Sequence, residues 1–197
     1  MMNHEACNMD KPRILIIGDS ISIGYTEPVT RLLAQTADFF RPDENCASTI
    51  EGLEHIDRWL APGPWNVIHF NWGLHDLKYI TGTSDSLADP AVPESFQKVP
   101  PVAYKKNLTD LVSRLAETEA TLVWCSTTPV PASAQGRIAG DAAAYNMIAS
   151  EIMEQHKVTS PDLYSLALPR LKEIQQPVNV CTPVISDSDS GGKRTAA

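Results

Sequence analysis

No stretch of the sequence approaches the run of about 18 apolar residues that a membrane span needs. The first ten residues, Met1 to Asp10, are polar and hold no apolar signal core. The chain as given therefore reads as cytoplasmic, or as one whose export signal has been removed. Paired cysteines are missing too. Cys7, Cys46, Cys125 and Cys181 stand far apart with no Cys-x-x-Cys, which speaks against a zinc knuckle or a disulfide framework. Positive charge is scarce: 16 Lys and Arg face 24 Asp and Glu, for a formal charge of −8. Nucleic acid, whose binding rests on a basic patch, is thereby an unsuitable partner. Neither common glycine spacing of a phosphate-binding loop occurs, and no internal repeat is present.

What is present fits one globular domain. The 197 residues are 43% hydrophobic and 20% charged, enough to bury a sizeable core. Short apolar runs alternate with amphipathic stretches at βαβ spacing, which implies a mainly parallel sheet covered on both faces. The expected fold is a single three-layer α/β/α domain, flavodoxin-like in outline. Strands are expected at Arg13 to Ile17, Asp38 to Pro42, Trp65 to Trp72 and Thr121 to Ser126. Helices are expected at Thr26 to Thr36, Ile50 to Leu60, Tyr104 to Glu117, Asp141 to His156 and Ser165 to Gln175. Val29, Leu32 and Leu33 should face the core from the first helix, with Pro28 in its first turn. Leu53, Ile56 and Leu60 do the same in the second. Residues from about Ile80 to Pro101 lack periodicity and read as a long loop, a candidate flap over a site.

The stretch with most chemistry is Arg13-Ile14-Leu15-Ile16-Ile17-Gly18-Asp19-Ser20-Ile21-Ser22-Ile23-Gly24. A β-branched apolar run leads into a glycine turn, and Ser20 falls just past the strand's carboxyl end. In open α/β sheets ligands bind there, and helix N–H groups can hold a developing oxyanion. Ser20 is thus a candidate nucleophile, though the same position also suits a helix cap. His69 lies in an apolar strand pattern and reads as a core histidine, and His55 as a solvated one. His75 and Asp76 are adjacent and do not read as a metal pair.

Gly18-Asp19-Ser20 after the first strand, with Gly73-Leu74-His75-Asp76 after a later one, resembles the SGNH (GDSL-type) hydrolases. The resemblance runs from Arg13 to about Pro177. It implies an esterase that needs no metal or organic cofactor and acts on a small-molecule ester or an acylated carbohydrate through a serine acyl-enzyme. It also implies Ser20 as nucleophile and, around the oxyanion and substrate, Gly18, Asp19, Asn45, Ala47, Asn71, Gly73 and Asp76. Asp19 is read within that set as an acceptor for loop N–H groups. The family's third block is Gly-x-Asn-Asp, so His75 stands where its asparagine would be, and Asn71 is a second candidate donor.

The family's last block, Asp-x-x-His, carries the general base and its orienting aspartate. Here Val178 and Cys181 stand at those positions, and no histidine follows His156. Three explanations follow. The base comes from elsewhere, with His75 or His156 the available sources; the chain is an inactive relative that binds without cleaving; or the sequence is frameshifted or truncated after Pro177. The third is the expectation, because residues 178–197 turn abruptly into a polar, low-complexity tail that reads as disordered, after a domain spanning 11–177.

Overall fold

The structure, a computed structural model, describes residues 11–171. In chain order it comprises β1 (Arg13–Ile17), α1 (Ser20–Leu32), β2 (Asp38–Phe40), α2 (Thr49–Leu60), β3 (Val67–Phe70), β4 (Tyr79–Thr81), β5 (Ser95–Gln97), α3 (Pro101–Ala116), β6 (Thr121–Trp124), α4 (Asp141–Gln155) and α5 (Leu163–Ala167). A 3₁₀ turn, Leu168–Arg170, follows α5. The four main strands form a parallel sheet in the order β2-β1-β3-β6. Register places Ile17, Phe70 and Trp124 in one row at the carboxyl edge. Thr159 adds a single parallel bridge to Val123, outside β6.

Alternation along the strands divides the sheet into two faces. Leu15, Ile17, Ile68, Phe70 and Trp124 point into the main core. Apolar residues of α2, α3 and α4 cover them, among them Ile56, Leu108, Leu111, Ala149 and Ile152. Ile14, Ile16, Val67 and His69 alternate to the other face, where α1 packs over β1 and β2. His69 is satisfied there, as expected: Tyr25 Oη lies 2.8 Å from its Nε2. Burial pulls its pKa below the usual imidazole range.

Several expectations need correction. The first helix begins at Ser20, six residues before Thr26, because Asp19 caps it by accepting from the Ile21 N–H at 2.9 Å. Pro28 consequently sits inside the helix and not in its first turn. Of its apolar stripe, Leu32 and Leu33 are exposed, and Ser22 is the buried residue of the helix. Leu53 is also exposed, and Gly52 and Trp59 occupy the buried side of α2 beside Ile56 and Leu60. α2 starts at Thr49 because Ser48 and Glu51 form a capping box.

The stretch from Ile80 to Pro101 is not a plain loop. It holds most of the antiparallel pair β4 and β5 and runs to the first residue of α3. Lys78, buried, and Lys98, half-buried, converge on Asp85 at 2.8 Å each, and Lys98 also binds Glu51. The hairpin leans on the segment after β6, through Tyr79 N–H to Gly136 O at 2.8 Å. Of the helix expected over Ser165 to Gln175, the described part is α5, which gives way to the 3₁₀ turn at Leu168. Residues 172–197 lie outside the described residues, and with them Val178, Cys181, the expected tail and the end of the 11–177 domain. Cys7 does too, whereas Cys46 and Cys125 are buried free thiols. No helix among the described residues is long and apolar enough to cross a membrane.

Candidate active site

Ser20 is the first residue of α1, exposed at the carboxyl edge of β1. Two features of the local sequence put it there. Gly18 allows a tight turn: a Cβ at that position would lie 3.0 Å from the Ser22 Cβ. Asp19 is buried, and its carboxylate fixes the helix start through Ile21. Arg41 braces the turn from β2, its Nη2 lying 3.4 Å from both Gly18 O and Ser22 Oγ. The Ser20 N–H has no partner among the described residues and stands at the positive end of the helix dipole.

His75 reaches the same place from the loop after β3. Ser20 and His75 both line a cleft of about 330 Å³, walled by Leu74, the Thr128-Pro129-Val130-Pro131 segment and Arg137. Burial lowers the pKa of His75, with Lys78, Arg137 and Lys98 adding to the effect against Asp19. The imidazole is therefore neutral at pH 7 and able to accept a proton. Its Nδ1 is buried without a partner, and no carboxylate contacts the ring among the described residues. No hydrogen bond joins Ser20 to His75 directly.

The other expected site residues are distributed around this cleft. Asp19 lines the cleft itself and, with Gly18 and Asn71, an adjoining hollow of about 40 Å³. Asn71 is committed elsewhere as a donor: its Nδ2 binds Cys125 O at 2.5 Å, tying the ends of β3 and β6 together. Ala47 adopts φ +42°, and its N–H donates to Asn45 Oδ1 at 3.0 Å, so that amide is occupied. Neither Ala47 nor Asn45 lines the cleft. Gly73 serves packing, since a Cβ there would stand 2.1 Å from Thr127 Oγ1.

Asp76 is a correction to the expected substrate-binding set. It is fully buried, and its Oδ1 accepts from Thr49 N at 2.9 Å and Thr49 Oγ1 at 2.6 Å. It anchors the start of α2 and touches no cleft. Its Oδ2 has no partner, and burial pushes its pKa up to about 7. His156, the other candidate base, is excluded by topology. It caps α4, which carries the chain from beyond the carboxyl end of β6 back to the segment that pairs with Val123. Fifteen helical residues, at about 1.5 Å each, leave it toward the opposite edge of the sheet from Ser20. Among the described residues no group of three His, Cys, Asp or Glu is placed to hold a metal.

Arg137 and the wall from Thr128 to Pro131 were missed in the sequence reading. That reading took the loops after the first three strands and passed over the one after β6. The same rule, that ligands sit at the carboxyl ends of the strands, points to it.

No family model matches the chain, and no curated protein matches it in sequence. Solved structures do. The lipase/acylhydrolase from Enterococcus faecalis superposes with a TM-score of 0.66 at 15% identity, covering 84% of each chain. The acetyl xylan esterase AlAXEase gives 0.64 at 13% identity, over 82% of this chain and 83% of that one. AlinE4, an SGNH-hydrolase family esterase, gives 0.63 at 16% identity, over 87% and 86%. With a parallel β2-β1-β3-β6 sheet and a serine at the end of β1, the chain has the fold of the SGNH-hydrolase esterases.

Proposed function

We propose that the protein hydrolyses carboxylic esters of short acyl groups, with Ser20 as nucleophile and His75 as general base. The observation that carries this reading is the shared cleft: a helix-start serine and a neutral imidazole open onto one space at the carboxyl ends of β1 and β3. Its size suits a small ester. Ser20 Oγ attacks the acyl carbon while His75 takes the hydroxyl proton. The Ser20 N–H meets the oxyanion. The proton then passes to the leaving alkoxide, the C–O bond breaks, and the alcohol departs. Water, activated by the same imidazole, attacks the acyl-enzyme and releases the acid and free Ser20. An acetyl group on a carbohydrate is one substrate of this class, as the acetyl xylan esterase has the same fold.

A second reading is a binding domain with no turnover. One set of observations favours it: His75 has no orienting carboxylate, and the Asn71 amide and the Ala47 N–H are already engaged. A base without its orienting partner is weak, and loss of one triad member costs about four to six orders of magnitude in turnover. Hydrolysis of p-nitrophenyl acetate separates the readings. Slow turnover that falls to the buffer rate in Ser20→Ala, and at least tenfold in His75→Gln, supports the enzyme. Turnover unchanged by Ser20→Ala removes it.

A further inference from the structure

Arg137 is a cation that forms no ion pair among the described residues, in a cleft that Asp19 also lines. It lines the 330 Å³ space beside Ser20 and His75, half-buried. Its Nε donates to Leu74 O at 3.0 Å, which fixes the guanidinium plane against the loop that carries His75. That uses one of five donors. The N–H groups on Nη1 and Nη2 have no protein acceptor among the described residues, and no carboxylate lies within ion-pair distance. The contrast with its neighbours is direct. Lys78, buried, and Lys98, half-buried, also act on His75, but Asp85 and Glu51 neutralise them. Asp19 is the acidic group that shares the cleft with Arg137. It attracts the guanidinium without bonding to it, and its Oδ1 is used by the Ile21 N–H.

A half-buried guanidinium pays a desolvation cost that an internal carboxylate would normally offset. In an acidic protein with 24 Asp and Glu such partners are plentiful, yet this fork faces open cleft. Two parallel Nη donors match the two oxygens of a carboxylate in geometry and charge. We propose that Arg137 selects esters that bear a carboxylate near the scissile bond, such as the half-ester of a short dicarboxylic acid. Because Arg137 and Ser20 line one cleft, a short diacid is the class whose two ends would meet both. The proposal depends on the Ser20 reading only for the identity of the bond that is cut; the anion site stands on the Arg137 geometry.

The test is binding first, turnover second. Full-length Ser20→Ala protein is titrated calorimetrically with monomethyl glutarate and with its neutral counterpart, dimethyl glutarate. The expected result is about tenfold tighter binding of the half-ester, in line with a charge-assisted bidentate contact. That preference should shrink in 0.5 M salt, fall to below twofold in Arg137→Gln, and survive in part in Arg137→Lys. Equal binding of the two esters, or a preference that Arg137→Gln leaves intact, overturns the proposal. If Arg137→Gln does not fold, the salt dependence and the comparison of the two ligands on the Arg137-containing protein decide. Wild-type hydrolysis of mono-p-nitrophenyl glutarate against p-nitrophenyl butyrate then separates the two readings. Charge-selective binding without Ser20-dependent turnover keeps the anion site and removes the esterase. Turnover with no preference for the anionic ester keeps the esterase and removes the anion site.

Discussion

On one face of the sheet, Leu15, Ile17, Ile68, Phe70 and Trp124 lie under α2, α3 and α4. On the other, Ile14, Ile16, Val67 and His69 lie on the side of α1, which leaves Ile21, Ile23 and Leu32 exposed. The candidate site spans the two. His75 hangs from the thick side, because its loop is held by Tyr104 Oη donating to Trp72 O at 2.9 Å, Trp72 Nε1 donating to Cys46 O at 3.2 Å, and the Asp76 link to Thr49. Ser20 rides on the thin side, at the start of α1. His75 belongs to one layer and Ser20 to the other, so alignment of the proposed nucleophile with the proposed base depends on how firmly α1 sits.

The largest effect should come from deleting buried volume on the thick side. Leu108→Ala empties a fully buried position between α3 and its neighbours and should cost about 2–5 kcal/mol. Leu32→Ala, at 81% exposure on α1, should change stability by less than about 0.5 kcal/mol. Urea unfolding of both variants measures the contrast. Comparable losses would mean that α1 is covered as well as α3 is, and the comparison between the faces would collapse.

Gly73→Ala comes next. The added Cβ would meet Thr127 Oγ1 at 2.1 Å, where β3 and β6 are stitched together. A loss of about 1–3 kcal/mol is expected from this overpacking. Because the clash is with one side chain, Thr127→Ala in the same chain should recover part of it. A double variant that is merely the sum of the two singles would show that the strain lies in the backbone instead.

Asp76 tests the thick side through pH. Its folded pKa, about 7, lies above the ordinary 3.8, so the folded state holds a proton that the unfolded state releases. Its contribution is greatest below about pH 4 and is lost as pH rises toward 7. Glu51, whose pKa is lowered through Lys98 and Ser48 against the cost of its burial, acts in the opposite sense. The informative quantity is therefore the difference between wild type and Asp76→Asn, which keeps an acceptor for Thr49. Chemical denaturation from pH 4 to 7.5 should show the variant gaining on wild type as pH rises. A difference independent of pH would mean that Asp76 is ionised throughout.

What could be read from the sequence divides along the same line. The thick side was legible: Ile14 to Ile17, the Val67–Phe70 strand, and the helices after Tyr104 and Asp141 carry strong periodic patterns, and burial follows the pattern. The position of Ser20 at the end of β1 was legible because a glycine turn after a buried strand has few structural solutions. α1 was not, because its start depends on a cap by Asp19 and its apolar residues follow no buried stripe. The hairpin β4–β5 escaped for a different reason. Its strands are three residues long and are held by Lys78, Lys98 and Asp85, a convergence that spacing along the chain does not reveal. The roles of Asp76 and Asn71 were also out of reach, since both look like site residues until Thr49 and Cys125 O are seen to consume them.

Ala47 offers the smallest and most local test of how the two sides meet. Its φ of +42° places an L-residue in the left-handed region, at about 1–2 kcal/mol relative to glycine. The loop that carries it is pinned at both ends, by Cys46 N–H donating to Gly18 O at 3.3 Å beneath the nucleophile turn and by Ser48 capping α2. It links the Ser20 turn, through that hydrogen bond, to the thick layer, through α2. Ala47→Gly should therefore stabilise the protein by about 0.5–1 kcal/mol, the strain relieved less the entropy glycine adds to the unfolded chain. The Asn45 side chain holds the position 47 N–H in either case, so Ser20-dependent turnover should change by less than about threefold, under 1 kcal/mol. A large rise in turnover would instead mean that the more permissive backbone frees that N–H to serve the oxyanion, and that the engaged amide limits this site more than the unoriented His75 does.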